Sequence, residues 1–233
     1  MNLNTRELWR GESPLDGAEI VALMSGVKLK SLNPKTEDMY QVSIERTDIS
    51  PLEAVRTGRD ESVCGGCLLR PYLFKQADHP PGAKPCYVNV GHSINGKWSS
   101  WAKGRVAAGL PASITKPIRF GDHGDPAMLP ENLVLRLIER APGWTGYTHQ
   151  WREPWAQWCK TVFMASAGSA TEATEAQALG WRTFRTRQWT EAILGGEIMC
   201  PASKEGGMKS TCAKCRLCSG SSLPVKNITI IEH

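Results

Sequence analysis

The stretch Thr161-Val-Phe-Met-Ala-Ser-Ala-Gly-Ser-Ala170-Thr-Glu-Ala-Thr-Glu-Ala-Gln-Ala-Leu-Gly180-Trp-Arg-Thr-Phe-Arg185 decides the fold class. A short apolar run, a Gly-Ser break, an alanine-rich helical segment, a glycine stop and a second apolar run spell strand, helix, strand. Similar units surround it. Strand-like residues 117–120 precede a helical pattern at 130–140, residues 144–148 precede a Trp-rich helix around 153–160, and residues 181–185 precede a helical pattern at 188–194. Residues 197–199 and 227–231 supply the last strands. This recurrence predicts an α/β protein, either a partial (β/α) barrel or an open parallel sheet.

Upstream of the repeats, apolar residues 18–25 and 39–44 read as strands separated by an Asn33-Pro34 turn. Ser50-Pro51 followed by Glu53 and closed by Gly58 is a capped short helix. Residues 60–110 are rich in Gly, Pro and Cys, with residues 86–90 as their best strand, and a segment of that kind is expected to have a function or a metal holding it. The chain thus divides into N-terminal strands with a short helix (1–60), a Cys-rich metal-binding insertion (61–110), a βα-repeat core (111–199), and a four-Cys module with a final strand (200–233).

The 233 residues carry a formal net charge of +5 but no dense Lys/Arg run, which permits a nucleotide or nucleic-acid partner without requiring one. No apolar stretch approaches the roughly 20 residues that span a bilayer, and no signal peptide is legible, so a cytoplasmic protein with no membrane partner is expected. In that compartment the eight cysteines read as metal ligands rather than disulfides. Cys200, Cys212, Cys215 and Cys218 form one set, whose Cys-x2-Cys-x2-Cys run suits an iron–sulfur cluster, with a zinc site as the alternative. Cys64-Gly-Gly-Cys67 with Cys86 forms another, which His79 or His92 could complete. Cys159 reads as a buried thiol.

Parallel strands present functional loops at their C-terminal ends. Those predicted ends carry Asp122, His123, Asp125 and His149, candidates for general acid–base work, sugar-hydroxyl binding or a hard cation, together with Ser166, Arg187, Cys200 and His233. Turn formation and helix capping explain the Gly-Asp-Pro sequence equally well. Arg182, Arg185 and Arg187 read as an anion or phosphate contact, or as partners of helix carboxylates. Walker loops, G-x-G-x-x-G, G-x-S-x-G and H-E-x-x-H are missing, which disfavours the common nucleotide-binding and hydrolase classes.

Cys64-x-x-Cys67, Cys86-Tyr-Val, the Gly-Asp segment at 121–126, Gly146-Tyr-Thr-His149, Gly180-Trp-Arg-Thr-Phe-Arg185, Cys200-Pro-Ala and Thr211-Cys-x-x-Cys-x-Leu-Cys218 together resemble an uncharacterised group of tailed-phage and prophage proteins with a radical-SAM-like layout. The resemblance covers roughly residues 60–233. It implies a phage- or prophage-encoded protein in the host cytosol, a partial β/α barrel, a 4Fe-4S cluster, and S-adenosylmethionine as cofactor at Cys64, Cys67 and Cys86. The order Cys64-x2-Cys67-x18-Cys86 departs from the Cys-x3-Cys-x2-Cys of radical SAM enzymes. The competing expectation is a zinc-stabilised, non-catalytic module that binds nucleic acid or a host protein.

Overall fold

The computed structural model describes residues 2–31, 33–78, 85–86, 88–222 and 224–231, with backbone alone at Asn2 and Leu3; His79 and His233 lie outside the described residues. Strands β1 (Asn2–Glu12), β2 (Glu19–Ser25) and β3 (Tyr40–Arg46) are followed by helices α1 (Pro51–Thr57), α2 (Glu61–Cys64) and α3 (Pro71–Phe74). A π-helical turn (Val90–Ile94) runs into α4 (Asn95–Ala102), then β4 (Val106–Ala108), β5 (Ile118–Phe120), a 3-10 turn (Pro126–Met128) and α5 (Glu131–Arg140). The remainder comprises β6 (Trp144–Thr145), β7 (Tyr147–Thr148), a 3-10 helix (Pro154–Thr161), β8 (Met164–Ala167), α6 (Ala170–Ala178), β9 (Thr183–Arg187), β10 (Glu197–Met199), α7 (Cys212–Cys215) and β11 (Asn227–Ile231).

Among the described residues the strands form two sheets instead of one barrel or one open sheet. The first is mixed, in the order β4-β1-β2-β3-β5-β6, and the second is parallel, in the order β10-β11-β9-β8-β7. β1–β2 and β2–β3 pair antiparallel, whereas β1–β4, β3–β5 and β5–β6 pair parallel. The chain passes from one sheet to the other at Gly146. A Cβ there would lie 2.6 Å from the Phe163 ring, so a glycine is what lets β6 and β7 follow each other this closely over the core.

The main core lies between the sheets and their helices. It collects Ile20, Ala22 and Met24 of β2, Val42 and Ile44 of β3, Ile118 and Phe120 of β5, and Leu133, Val134 and Leu137 of α5. The spacing of the last three puts them on one helical stripe, and each contributes about 1.5–3 kcal/mol by leaving water. α1 forms as its sequence prescribes: the Ser50 hydroxyl accepts from the Glu53 amide at 3.3 Å, and Gly58 closes the helix at φ 77°.

Two expected elements differ. Residues 188–194 form a short turn and irregular chain, because Arg187 donates to the carbonyls of Gln188, Trp189 and Glu191 and Arg185 to that of Ala192, diverting acceptors a helix would need. The described part of 86–90 is not strand but leads into the π-helical turn, which the Asn89 side chain caps by accepting from the Gly91 amide at 3.0 Å. The Trp-rich helix is present in 3-10 form. No helix among the described residues is long and apolar enough to cross a membrane.

The four-cysteine segment covers a face of the parallel sheet. Cys200, Cys212, Leu217 and Cys218 pack with Tyr147, Met164, Phe184, Ile228 and Ile230 in a second, smaller core.

Candidate metal centre

Cys64 ends α2, and the turn at Gly65 (φ 57°) returns the chain to Cys67. Arg70 holds this loop from beneath, donating to Asp60 Oδ1 at 2.9 and 3.1 Å and to the Gly65 carbonyl at 3.1 Å. Both members of this pair are buried, so the loop is anchored by charge as well as by packing. Cys86 is brought back by its amide, which donates to the Leu69 carbonyl at 2.7 Å.

The β7 end then supplies His149, whose Nε2 stands 3.5 Å from Cys67 Sγ. On the other side of the ring, Nδ1 faces Asp125 Oδ2 at 3.8 Å. Asp125 is fixed in turn: its carboxylate accepts from the amides of Ala127 (3.0 Å) and His149 (2.7 Å) and from Gln150 Nε2 (3.2 Å). Gln150 also donates to the Cys64 carbonyl and accepts from the Gly66 amide. Gly65 sits at φ 57°, a conformation that favours glycine, and a Cβ there would also approach the Gln150 amide to 2.4 Å and displace it from the loop.

Charge follows this geometry. Burial pushes the Cys67 thiol up, but the facing His149 outweighs it and holds Cys67 below the ordinary thiol range. Burial draws His149 down, and the Cys67 charge and hydrogen bond reverse this and raise it to about 9. Cys64 rises well above the thiol range through burial and the charges of Asp60, Cys67 and Cys86, and Cys86 is raised mainly by burial. The three cysteines therefore feel one another.

Asp122 and His123 are engaged elsewhere. Asp122 accepts from Lys97 Nζ at 2.8 Å and Arg119 Nη1 at 3.1 Å; burial alone would raise its carboxyl, but the two cations hold it low. Buried His123 pairs through Nδ1 with Glu45 Oε2 at 2.9 Å. The four residues expected at the active rim thus split: Asp125 and His149 join Cys67, whereas Asp122 and His123 enter ion pairs. Lys97, Glu45 and Arg119 are the participants that motif spacing does not reveal, whereas Gln150 stands beside His149 at the same predicted strand end.

Cys200 begins the second set just past β10, its amide donating to the Thr229 carbonyl at 2.8 Å. Cys212 donates to the Lys35 carbonyl and Cys218 accepts from the Gly146 amide, both at 2.8 Å, while Arg216 at φ 52° turns the chain between Cys215 and Cys218. Burial and then the charge of neighbouring cysteines raise Cys212 and Cys218; Cys215 is raised by burial and Cys200. Arg119 reaches electrostatically toward both sets, favouring thiolate at Cys86 and at Cys212. All eight cysteines are free thiols, and Cys159 is buried as expected. Among the described residues no three His, Cys, Asp or Glu side chains already converge as ligands of a single ion.

Arg182, Arg185 and Arg187 serve the framework. Arg182 donates to the carbonyls of Ser219, Gly220, Val225 and Lys226, and Arg185 forms a bidentate buried pair with Glu197 at 2.8 and 2.9 Å. No family model, curated protein or solved structure matches the chain.

Proposed function

We propose that the protein is an iron–sulfur metalloprotein with two thiolate-ligated centres, one on Cys64, Cys67 and Cys86 and one on Cys200, Cys212, Cys215 and Cys218. The observation that carries this reading is the grouping of seven free cysteines into two sets whose members lie close enough to raise one another's thiols. Burying several thiols together and leaving them unpaired makes thiolate costly, a cost that a bound cation reverses. A cluster places its ligands farther apart than one ion does, which suits sets that do not close on a single point. The N-terminal centre, beside His149 and Asp125, is the better place for chemistry, with a nucleotide or nucleic acid as the substrate class proposed for it.

Anaerobic purification tests this. Brown protein carrying iron and acid-labile sulfide at about four of each per cluster is expected. Colourless protein with stoichiometric zinc replaces it with the zinc-stabilised binding module, and metal-free protein overturns both.

A further inference from the structure

We infer that the outer face of the four-cysteine segment is a nucleic-acid contact surface, with Lys204, Lys209 and Lys214 at its centre. This takes up the substrate class proposed above but rests on charge, independently of either metal centre. Residues 200–226 hold five Lys or Arg (Lys204, Lys209, Lys214, Arg216 and Lys226) against one acid, Glu205, which is a net +4 out of the chain's +5. The rest of the chain is balanced to within one charge, so the basic character of the protein belongs to this one segment. Such concentration of charge on one face is the electrostatic footprint of a polyanion partner.

The fold turns these cations outward. Cys200, Ala202, Cys212, Leu217 and Cys218 pack inward on the parallel sheet, which leaves the other side of the segment to solvent. Lys204, Lys209, Lys214 and Lys226 are all exposed. Arg216 is committed to the Pro142 carbonyl, and Lys214 meets Glu37 only at 3.7 Å, between two exposed side chains. Lys204, Lys209 and Lys226 have no carboxylate within ion-pair reach among the described residues. Ammonium groups spaced along a surface suit a phosphate backbone, whose counterions they release on contact. Met208 and Val225 are the large apolar side chains exposed on the segment among the described residues, too little apolar area to enter a bilayer.

The segment is also well placed. The Gly146 amide donates to the Cys218 carbonyl at 2.8 Å, and His149, beside Cys67, follows three residues later. Three residues of extended chain span at most about 11 Å, so the segment is anchored close to the proposed place of chemistry.

The test is fluorescence anisotropy of the full chain with a labelled oligothymidylate of about 20 nucleotides, titrated in sodium chloride from about 50 to 200 mM. Wild type should bind, with the logarithm of the association constant falling linearly against log salt by about 0.7 per contacted phosphate. Lys204→Gln, Lys209→Gln and Lys214→Gln together should shallow that slope by about 2 and weaken binding at the lowest salt about tenfold or more. Lys75→Gln, Lys103→Gln and Arg105→Gln together, three exposed cations outside the segment, should change neither. Equal losses in the two triple variants, or binding indifferent to salt, overturn the inference. So does tighter binding to phosphatidylserine vesicles than to the oligonucleotide, which would make the face a membrane contact. Metal content is read on the same samples. Metal-loaded protein that ignores the oligonucleotide overturns this surface and leaves the two-centre reading standing, and salt-dependent binding by metal-free protein does the reverse.

Discussion

At the scale of single residues, most buried charges among the described residues stand in ion pairs that fix geometry, while Arg182 and Arg187 donate to backbone carbonyls. Arg185 and Glu197 are the extreme case, both side chains 0% exposed and joined by two hydrogen bonds. Removing one partner strands the other without water, so Glu197→Ala should cost about 3–5 kcal/mol in urea unfolding, against a much smaller loss for Glu53→Ala, whose partner Arg56 is exposed. His123 gives a pH signature. Burial lowers its pKa, but Glu45, helped by Asp60 and opposed by Lys97, raises it above the ordinary 6.5. A folded-state pKa above the unfolded one means stability that is full below about pH 6.5 and is lost as pH rises through the folded value. Unfolding midpoints measured from pH 5 to 9 should therefore fall less steeply in His123→Gln than in wild type; equal slopes would mean that the Glu45 pair contributes nothing. The sequence showed His123 to be at a strand end but not that β3 would bring Glu45 against it, because that partner is 78 positions away.

At the scale of elements, local signals were legible where the chain satisfies its own backbone and misleading where a distant side chain does so. α1 follows from its local cap and α5 from the spacing of its apolar residues. β1 escapes periodicity reading because Asn2–Glu12 is largely polar, and it forms by lying between β2 and β4. The helical pattern at 188–194 fails because Arg185 and Arg187 take its carbonyls. Arg182 works in the same way on the segment after Cys218, gathering four carbonyls whose register no local rule predicts. Lys cannot present that fork. Arg182→Lys should thus leave the sheet intact but speed amide exchange in residues 216–227 by about tenfold or more, measured by hydrogen exchange with mass spectrometry. Unchanged exchange there would show that packing of Gly220 against Thr161 alone holds the segment, since a Cβ at Gly220 would approach the Thr161 carbonyl carbon to 2.2 Å.

At the scale of the molecule, the cysteine sets tie together parts that the sheets leave separate. The C-terminal set lies on the parallel sheet yet reaches the β2–β3 connection of the mixed one, through Cys212 to the Lys35 carbonyl and through Thr211 Oγ1 to Glu37. The N-terminal set joins the α2 loop to the β7 strand end through Cys67 and His149. Spacing alone marked both sets as candidate metal ligands but not these attachments, since the partners are carbonyls and loop side chains with no motif of their own. If the proposed metals bind the folded chain and not the unfolded one, each stabilises it by an amount set by its concentration over its dissociation constant, about 4 kcal/mol at a thousandfold excess. For a chain of this length that corresponds to roughly 8–16 °C in melting temperature per centre. Cys215→Ser, which removes a ligand on a half-buried turn rather than in either core, should lower the melting temperature of metal-loaded protein by that order and have little effect after chelation. Circular dichroism melts with and without chelator decide this. A Cys215→Ser deficit of the same size in both conditions would mean that the thiol acts by packing, and that the C-terminal set holds no metal.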